Sequence, residues 1–341
     1  ALYSYGLSYM PIIALAYGVL IAGIVQYSVQ LPFLYKMNLL VTPKINFEFS
    51  GVNKILKLML PAILGTAVVQ INLVVDSIVA SMLAPGSISW LYYSDRLVEF
   101  PLGIFGISIA TVILPVLSAK YSSKEITSFK ETISNSLKIV LIYSLPATFG
   151  LILLSDHIIV SLFQYGNFDA NDTSMSTLSL IAYSLGLPAF IMMKVLLTGF
   201  FSRQDTKTPV KYGLIAVIFN ILMNTIVVFY YLSNPFTGAH AMLALATSIS
   251  AWIQVILLYM HLNRENFVYS SNIFNKEPFM SMISCIIMFL ILSSIMISAA
   301  DLAQKDYYMR GSLLGGYILI GALVYIISMY LFGYKFKRSL I

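Results

Sequence analysis

Five ionisable residues stand within apolar runs where a hydrocarbon environment would make them costly: Asp76, Asp95, Arg96, Glu99 and Lys194. Such a group costs about 2.5–3.5 kcal/mol at the centre of a bilayer-spanning helix, so each is a candidate functional residue. Three fall in one stretch, Tyr92-Tyr93-Ser94-Asp95-Arg96-Leu97-Val98-Glu99-Phe100-Pro101. On a helix Arg96 and Glu99 share a face with Tyr92 and Ser89. An arginine fork donates two parallel hydrogen bonds to a phosphate. Pro101 removes a backbone donor and predicts a kink beside the charges, as in transporter sites. The plainer alternative is an Arg96–Glu99 ion pair that pins neighbouring helices. Lys194 either lines the same cavity or snorkels toward one membrane face. A second set is oxygen-rich: Asn72 and Asp76 four apart, Asn220 and Asn224 four apart, and Thr247 with Ser248. A carboxylate, amide oxygens and a hydroxyl are hard ligands suited to an alkali cation. If their three helices meet, Asp76, Asn220, Asn224 and Thr247 hold Na⁺ or a proton-linked network. Otherwise they make interhelical hydrogen bonds worth under about 1 kcal/mol per pair.

The elements that must carry these groups follow from composition. The chain has 341 residues, 59% hydrophobic and 10% charged, with mean hydropathy +0.87. Soluble domains carry about 25% charged residues, so a soluble globular protein is excluded. Nine stretches are long enough to cross a bilayer: roughly 12–34, 59–83, 88–118, 137–154, 175–201, 212–232, 239–260, 279–299 and 312–333. They read as helices, because in lipid each backbone group must be satisfied within its own segment. No alternating ten-residue pattern suggests a barrel. From Ser87, Arg96 is nine residues on, about 13–14 Å deep and near the midplane.

The connections alternate in charge. One side carries Lys36, Lys44, Lys54 and Lys57, then Lys120, Lys124, Lys130 and Lys138. It continues with Arg203, Lys207 and Lys211, then Arg264 and Lys276, then Lys335, Lys337 and Arg338. The other side carries only Lys305 and Arg310. This predicts that the first helix runs outside to inside and that the C-terminus is cytoplasmic. The net charge of +6 is then a topology signal rather than a nucleic-acid surface. The inside stretch 122–136 predicts an amphipathic surface helix through Ile126, Phe129 and Ile133. In the outside stretch 155–174, Ile158–Phe163 predicts an interfacial segment. The single cysteine, Cys285, reads as an inert buried thiol. There is no P-loop, GxSxG or HExxH, and His157, His240 and His261 are scattered, so no enzyme is expected. Residue 1 is Ala and no basic leader precedes the first run. The chain therefore reads as a fragment whose upstream part is missing.

Four segments carry a family resemblance. They are Pro61–Gly65, the long motif SISWLYYSDRLVEFPLGIFGISIATVILP over 87–115, Leu162–Gly166, and Ser202–Val210. Together they resemble the MurJ (MviN) lipid II flippases of the MOP exporter superfamily. Beyond about residue 266 the match is more one of hydropathy than of motif. The resemblance implies an all-α polytopic membrane protein with nine transmembrane helices of a fourteen-helix fold. Residues 1–35 would be the last helix of an N-terminal lobe and 36–58 a cytoplasmic linker. Residues 59–265 would be a six-helix C-terminal lobe, and 266–341 two further helices forming a groove for the lipid tail. It also implies a bacterial inner-membrane protein that moves lipid II, the undecaprenyl-pyrophosphate-linked precursor, from inner to outer leaflet. Arg96 and Glu99 match positions such a cavity needs, and Ser89 lies on the same stretch. A role in ion coupling for Asp76, Asn220, Asn224 and Thr247 is in keeping. The expected partners are lipid II, membrane lipids and the missing lobe, with no nucleic acid. Rival readings are an exporter of another lipid-linked oligosaccharide, a drug or cation antiporter, and a membrane protein that has lost transport.

Overall fold

A computed structural model describes residues 11–39, 72–273 and 275–334. The chain divides into two units, Ala1–Met59 and Leu60–Ile341. The described part of the first is one exposed helix, α1 (Pro11–Lys36), with Pro32 near its end.

The second unit is a helical bundle. Its elements are α2 (Asn72–Ser81), α3 (Ser87–Pro101), a π-helical stretch (Leu102–Ile107), α4 (Ser108–Ser122), α5 (Ile126–Leu162), α6 (Ala170–Ser184) and α7 (Leu187–Phe201). Then follow α8 (Lys207–Ser233), α9 (Ala239–Arg264), the short α10 (Ser270–Ile273), α11 (Lys276–Ile295), the short α12 (Ala299–Ala303) and α13 (Tyr307–Leu331). Among the described residues seven helices are long and apolar enough to cross a membrane, or eight if α6 and α7 make one bent span. Of the predicted span 59–83, only the part from residue 72 lies within the described residues.

Three features of the spans have physical causes. Pro101, beside which a kink is expected, is the last residue of α3. The chain passes from α3 through the π-helical stretch into α4, a register change of the kind that absorbs a missing donor. The predicted surface helix 122–136, span 137–154 and interfacial segment 158–163 prove largely to be one helix, the 37-residue α5. Phe129 and Ile133 are fully buried in the core, and Ile158, Ile159 and Val160 are buried rather than interfacial. The span at 175–201 is broken, with α6 and α7 bent by 41°. Gly186 and Pro188 make that break. The Gly186 N–H bonds Tyr183 O, which frees the Ala182 carbonyl. Ser248 donates to it at 2.7 Å, and Trp252 donates to Leu185 O at 3.0 Å. Gly186 is needed because a Cβ there would sit 2.6 Å from Ser248 Oγ.

The main core joins α3, α4, α5, α7 and α9 through Leu117, Phe129, Leu137, Ile191, Leu196 and Leu262. A second core seats α11 and α13 against α5 through Ile142, Cys285, Met288, Leu292 and Tyr325. Cys285 is buried and free, as expected.

Candidate functional site

The charged motif lies along α3. Arg96 Nη1 and Glu99 Oε2 are 2.5 Å apart, one helical turn from each other. Their side chains remain 53% and 48% exposed, and the guanidinium stands 5.0 Å over the Tyr92 ring. Among the described residues the pair is closed within a single helix. Ser89 and Tyr92 are exposed, as Arg96 and Glu99 are. Asp95 is half-buried and makes no hydrogen bond among the described residues. The opposite face packs inward. Ser94 Oγ is shared between Trp90 O and the Ser176 carbonyl of α6, at 2.8 and 2.7 Å. Lys194 does not join the Arg96 group. Its stem lies against Gly106 of the π-helical stretch, ten residues and about 15 Å further along at the ordinary helical rise.

The oxygen-rich set does converge. Asn72 Nδ2 donates to Asp76 Oδ2 at 3.0 Å, and Asn224 Nδ2 donates to Asp76 Oδ1 at 2.6 Å. Asn224 Nδ2 is also 2.8 Å from the Asn220 side-chain amide. Asn220 fits best with its amide oxygen toward Thr247, accepting from its hydroxyl and backbone N–H at 3.1 Å each. Its nitrogen then donates to Asp76 Oδ1 at 3.0 Å and Asn72 Oδ1 at 3.3 Å. With that orientation the Asn220 and Asn224 nitrogens face one another, so the network cannot satisfy every group at once. Asn224 Oδ1 is buried with no partner among the described residues. Ser248 is not part of this cluster, because it serves the α6–α7 break. Among the described residues no three His, Cys, Asp or Glu side chains group to hold a metal. The ligand groups present are one carboxylate, three amides and a hydroxyl, with a single formal charge. That set fits a monovalent cation better than a divalent one.

Sequence reasoning left Asn72 out of the site set, although its spacing from Asp76 was visible. It also missed Trp90, Asp172 and His240. Trp90 Nε1 donates to Asp172 Oδ1 at 2.7 Å, and its ring lies 4.8 Å from that of His240. No spacing rule links residues from three separate helices.

Fold and site define a multi-pass α-helical membrane protein with charged and amide groups on its apolar helices. The chain belongs to the lipid II flippase MurJ family, since the family profile described as "Lipid II flippase MurJ" matches residues 2–336. A probable lipid II flippase MurJ of Vibrio cholerae serotype O1 is 48% identical over 253 residues, covering 74% of this chain and 47% of the relative. A probable lipid II flippase MurJ of Haemophilus influenzae is 38% identical over 340 residues, covering 95% of this chain and 63% of the relative. The solved structure of a lipid II flippase MurJ in an inward closed conformation matches with TM-score 0.69 at 28% identity. That match covers 89% of this chain and 59% of that one. The chain thus spans about half to under two thirds of the length of these relatives.

Proposed function

We propose that the protein carrying this chain is a transporter rather than an enzyme, and moves lipid II from the inner to the outer leaflet of a bacterial cytoplasmic membrane. Family membership supplies the substrate class. The observation that carries the site is Arg96, a half-exposed cation whose ion-pair partner among the described residues lies on its own helix; its spacing from Ser87 puts it near the bilayer midplane. Arg96 binds the pyrophosphate, and Ser89 adds a polar contact on the same stretch. Glu99 holds Arg96 when the site is empty, and Asp95 tunes the local field. Lys194 offers a second cationic point further along the passage. The head crosses in a hydrated cavity while the prenyl tail stays in lipid, and the two lobes rock about the site. Residues 1–35 act as the last helix of a first lobe, 36–58 as a cytoplasmic linker, 59–265 as the six-helix second lobe, and 266–341 as the pair that seats the tail. The chain then crosses nine times with its C-terminus inside.

Rescue tests this reading. Bacteria depleted of their own lipid II flippase receive the full-length protein or its Arg96→Ala variant at matched membrane levels. Growth with the parent and not the variant is the expected result. Rescue by both removes Arg96 from the site. Rescue by neither, with correct insertion, moves the substrate to another lipid-linked oligosaccharide.

A coupling cation is a second reading, for the Asp76 cluster. It is favoured by the orphaned Asn224 Oδ1 in a ring of oxygen donors. Asp76, Asn220, Asn224 and Thr247 would hold Na⁺, or Asp76 would hold a proton that relieves the crowded amides.

A further inference from the structure

A cavity of about 420 Å³ opens at the end of the bundle that the charge pattern assigns to the outside. It lies between the N-terminal ends of α3, α6 and α9 and the α8–α9 turn. The volume falls within the ~300–1,000 Å³ of small-molecule sites. Its walls include Trp90, Tyr231 and Phe236, with Asn171, Thr237 and His240 between them. Phe236 is 36% exposed and stands edge-on to Tyr231 at 6.1 Å.

The lining selects its ligand. Among the described residues no Lys or Arg lines the cavity, and the Asp172 carboxylate lies beside it on Trp90 Nε1, so a phosphate or other anion is disfavoured. A wholly apolar ligand would strand the polar groups. His240 is 2% exposed. Its Nε2 is 2.9 Å from the Met175 carbonyl, which can only accept. The proton of the neutral ring is therefore on Nε2, and Nδ1 presents a lone pair with no partner among the described residues. The side chains of Asn171 and Thr237 are exposed and likewise make no hydrogen bond there. The site thus offers aromatic surface, an acceptor with no donor, an amide and a hydroxyl. A ring that is apolar across its C–H face and rimmed with hydroxyls complements all of these.

We propose that this cavity is a binding site for a neutral pyranose sugar. The ring packs on Tyr231 and Phe236, one hydroxyl donates to His240 Nδ1, and others exchange hydrogen bonds with Asn171 and Thr237. The assignment stands on the lining and does not require the flippase reading. The sugar comes either free or as the saccharide of a lipid-linked head.

The test uses the purified full-length protein in micelles, in a version whose only tryptophan is Trp90. Emission is followed on titration with N-acetylglucosamine and, separately, with a short-prenyl pyrophosphoryl N-acetylhexosamine. Inorganic phosphate and glycerol serve as controls. A saturable change with N-acetylglucosamine is expected, with affinity weakened at least about tenfold in Asn171→Ala/Thr237→Val. Both positions are exposed, and an unchanged thermal midpoint confirms folding. Saturation by the lipid-linked probe alone also supports the site and names its source. No saturable change with either probe overturns the proposal. So does a response to phosphate equal to that to sugar, or an unaltered affinity in the double variant.

Discussion

The Tyr325 hydroxyl donates to the Ile142 carbonyl at 2.7 Å, joining α13 to α5 across 183 residues of sequence. Ile142 lies four residues before Pro146, which has no N–H to give it. Ser281 of α11 stands 2.8 Å from Tyr325 Oη and 3.5 Å from the same carbonyl. A proline break within one helix has thus become the docking point for two others. Lys138 and Glu277, 2.9 Å apart, tie α5 to α11 again four residues before Ile142.

Tyr325→Phe is expected to cost about 1 kcal/mol, because Ser281 can turn to the carbonyl. Tyr325→Phe with Ser281→Ala leaves a buried carbonyl unmet, at about 1–3 kcal/mol. The double variant should therefore lose more than the two singles summed. Unfolding in micelles measures all four members of the cycle. Simple additivity would mean that the two hydroxyls do not share the carbonyl.

Arg310 makes a different kind of latch. Its guanidinium donates to the carbonyls of Lys305 at 2.9 Å, Gln164 at 3.1 Å and Val160 at 3.4 Å, and also to Ala303. It also stands 5.0 Å over the Tyr165 ring. Val160 and Gln164 close the C-terminal end of α5, where carbonyls are orphaned and positive charge is favoured. A lysine keeps the charge but cannot fork to four acceptors. Arg310→Lys should lower stability by about 1–2 kcal/mol, seen as faster amide exchange at 299–310. Exchange equal to that of the parent would show that charge alone suffices.

Asp205 gives a pH dependence outside the membrane spans. Burial pushes its carboxyl up, but hydrogen bonds from Thr208, the nearby Arg203 charge and the Lys207 amide together hold it below the usual carboxylate range. Its Oδ1 accepts from the Lys207 and Thr208 amides at 3.1 and 3.0 Å, closing the start of α8. A depressed folded-state pKa gives stability that is fully present above the unfolded value of about 3.9. That contribution is lost as pH falls through the folded value. Protection of the 207 and 208 amides, taken relative to their intrinsic exchange rate at each pH, should fall as the solution is acidified below about pH 4, and Asp205→Ala should show the lower protection at neutral pH. A variant protected as well as the parent at pH 7 would remove this cap.

What the sequence discloses depends on how local the cause is. Long apolar runs and their basic flanks are local, so most of the spans can be read directly. The bend at Gly186 was equally local, and its Gly and Pro signals were passed over because the run stayed apolar. The continuity of α5 was hidden because Lys130, Glu131 and Lys138 on its first turns resemble a surface segment. In the fold, Phe129, Ile133 and Leu137 on the other face are wholly buried. The four oxygen-bearing residues could be named one by one, but their meeting depends on how α2, α8 and α9 pack. The cavity beside Trp90 and His240 draws on residues from separate helix ends and had no signature at all.

That meeting makes the Asp76 cluster testable without transport. A cation that binds only the folded state stabilises it by RT ln(1 + [L]/Kd), about 2.7 kcal/mol at a hundredfold excess over Kd. Replacing choline chloride by sodium chloride at constant ionic strength should therefore raise the thermal midpoint. Asp76→Asn removes the only formal charge in the cluster and should abolish that rise. Asn224→Ala, which removes the orphaned oxygen, should reduce it. Thr225→Ala is a fair control, because its exposed hydroxyl bonds only Ile221 O on its own helix. An equal rise in choline would show a general salt effect. A sodium response that survives in Asp76→Asn would place the cation elsewhere and leave these groups as a hydrogen-bonded tie between α2, α8 and α9.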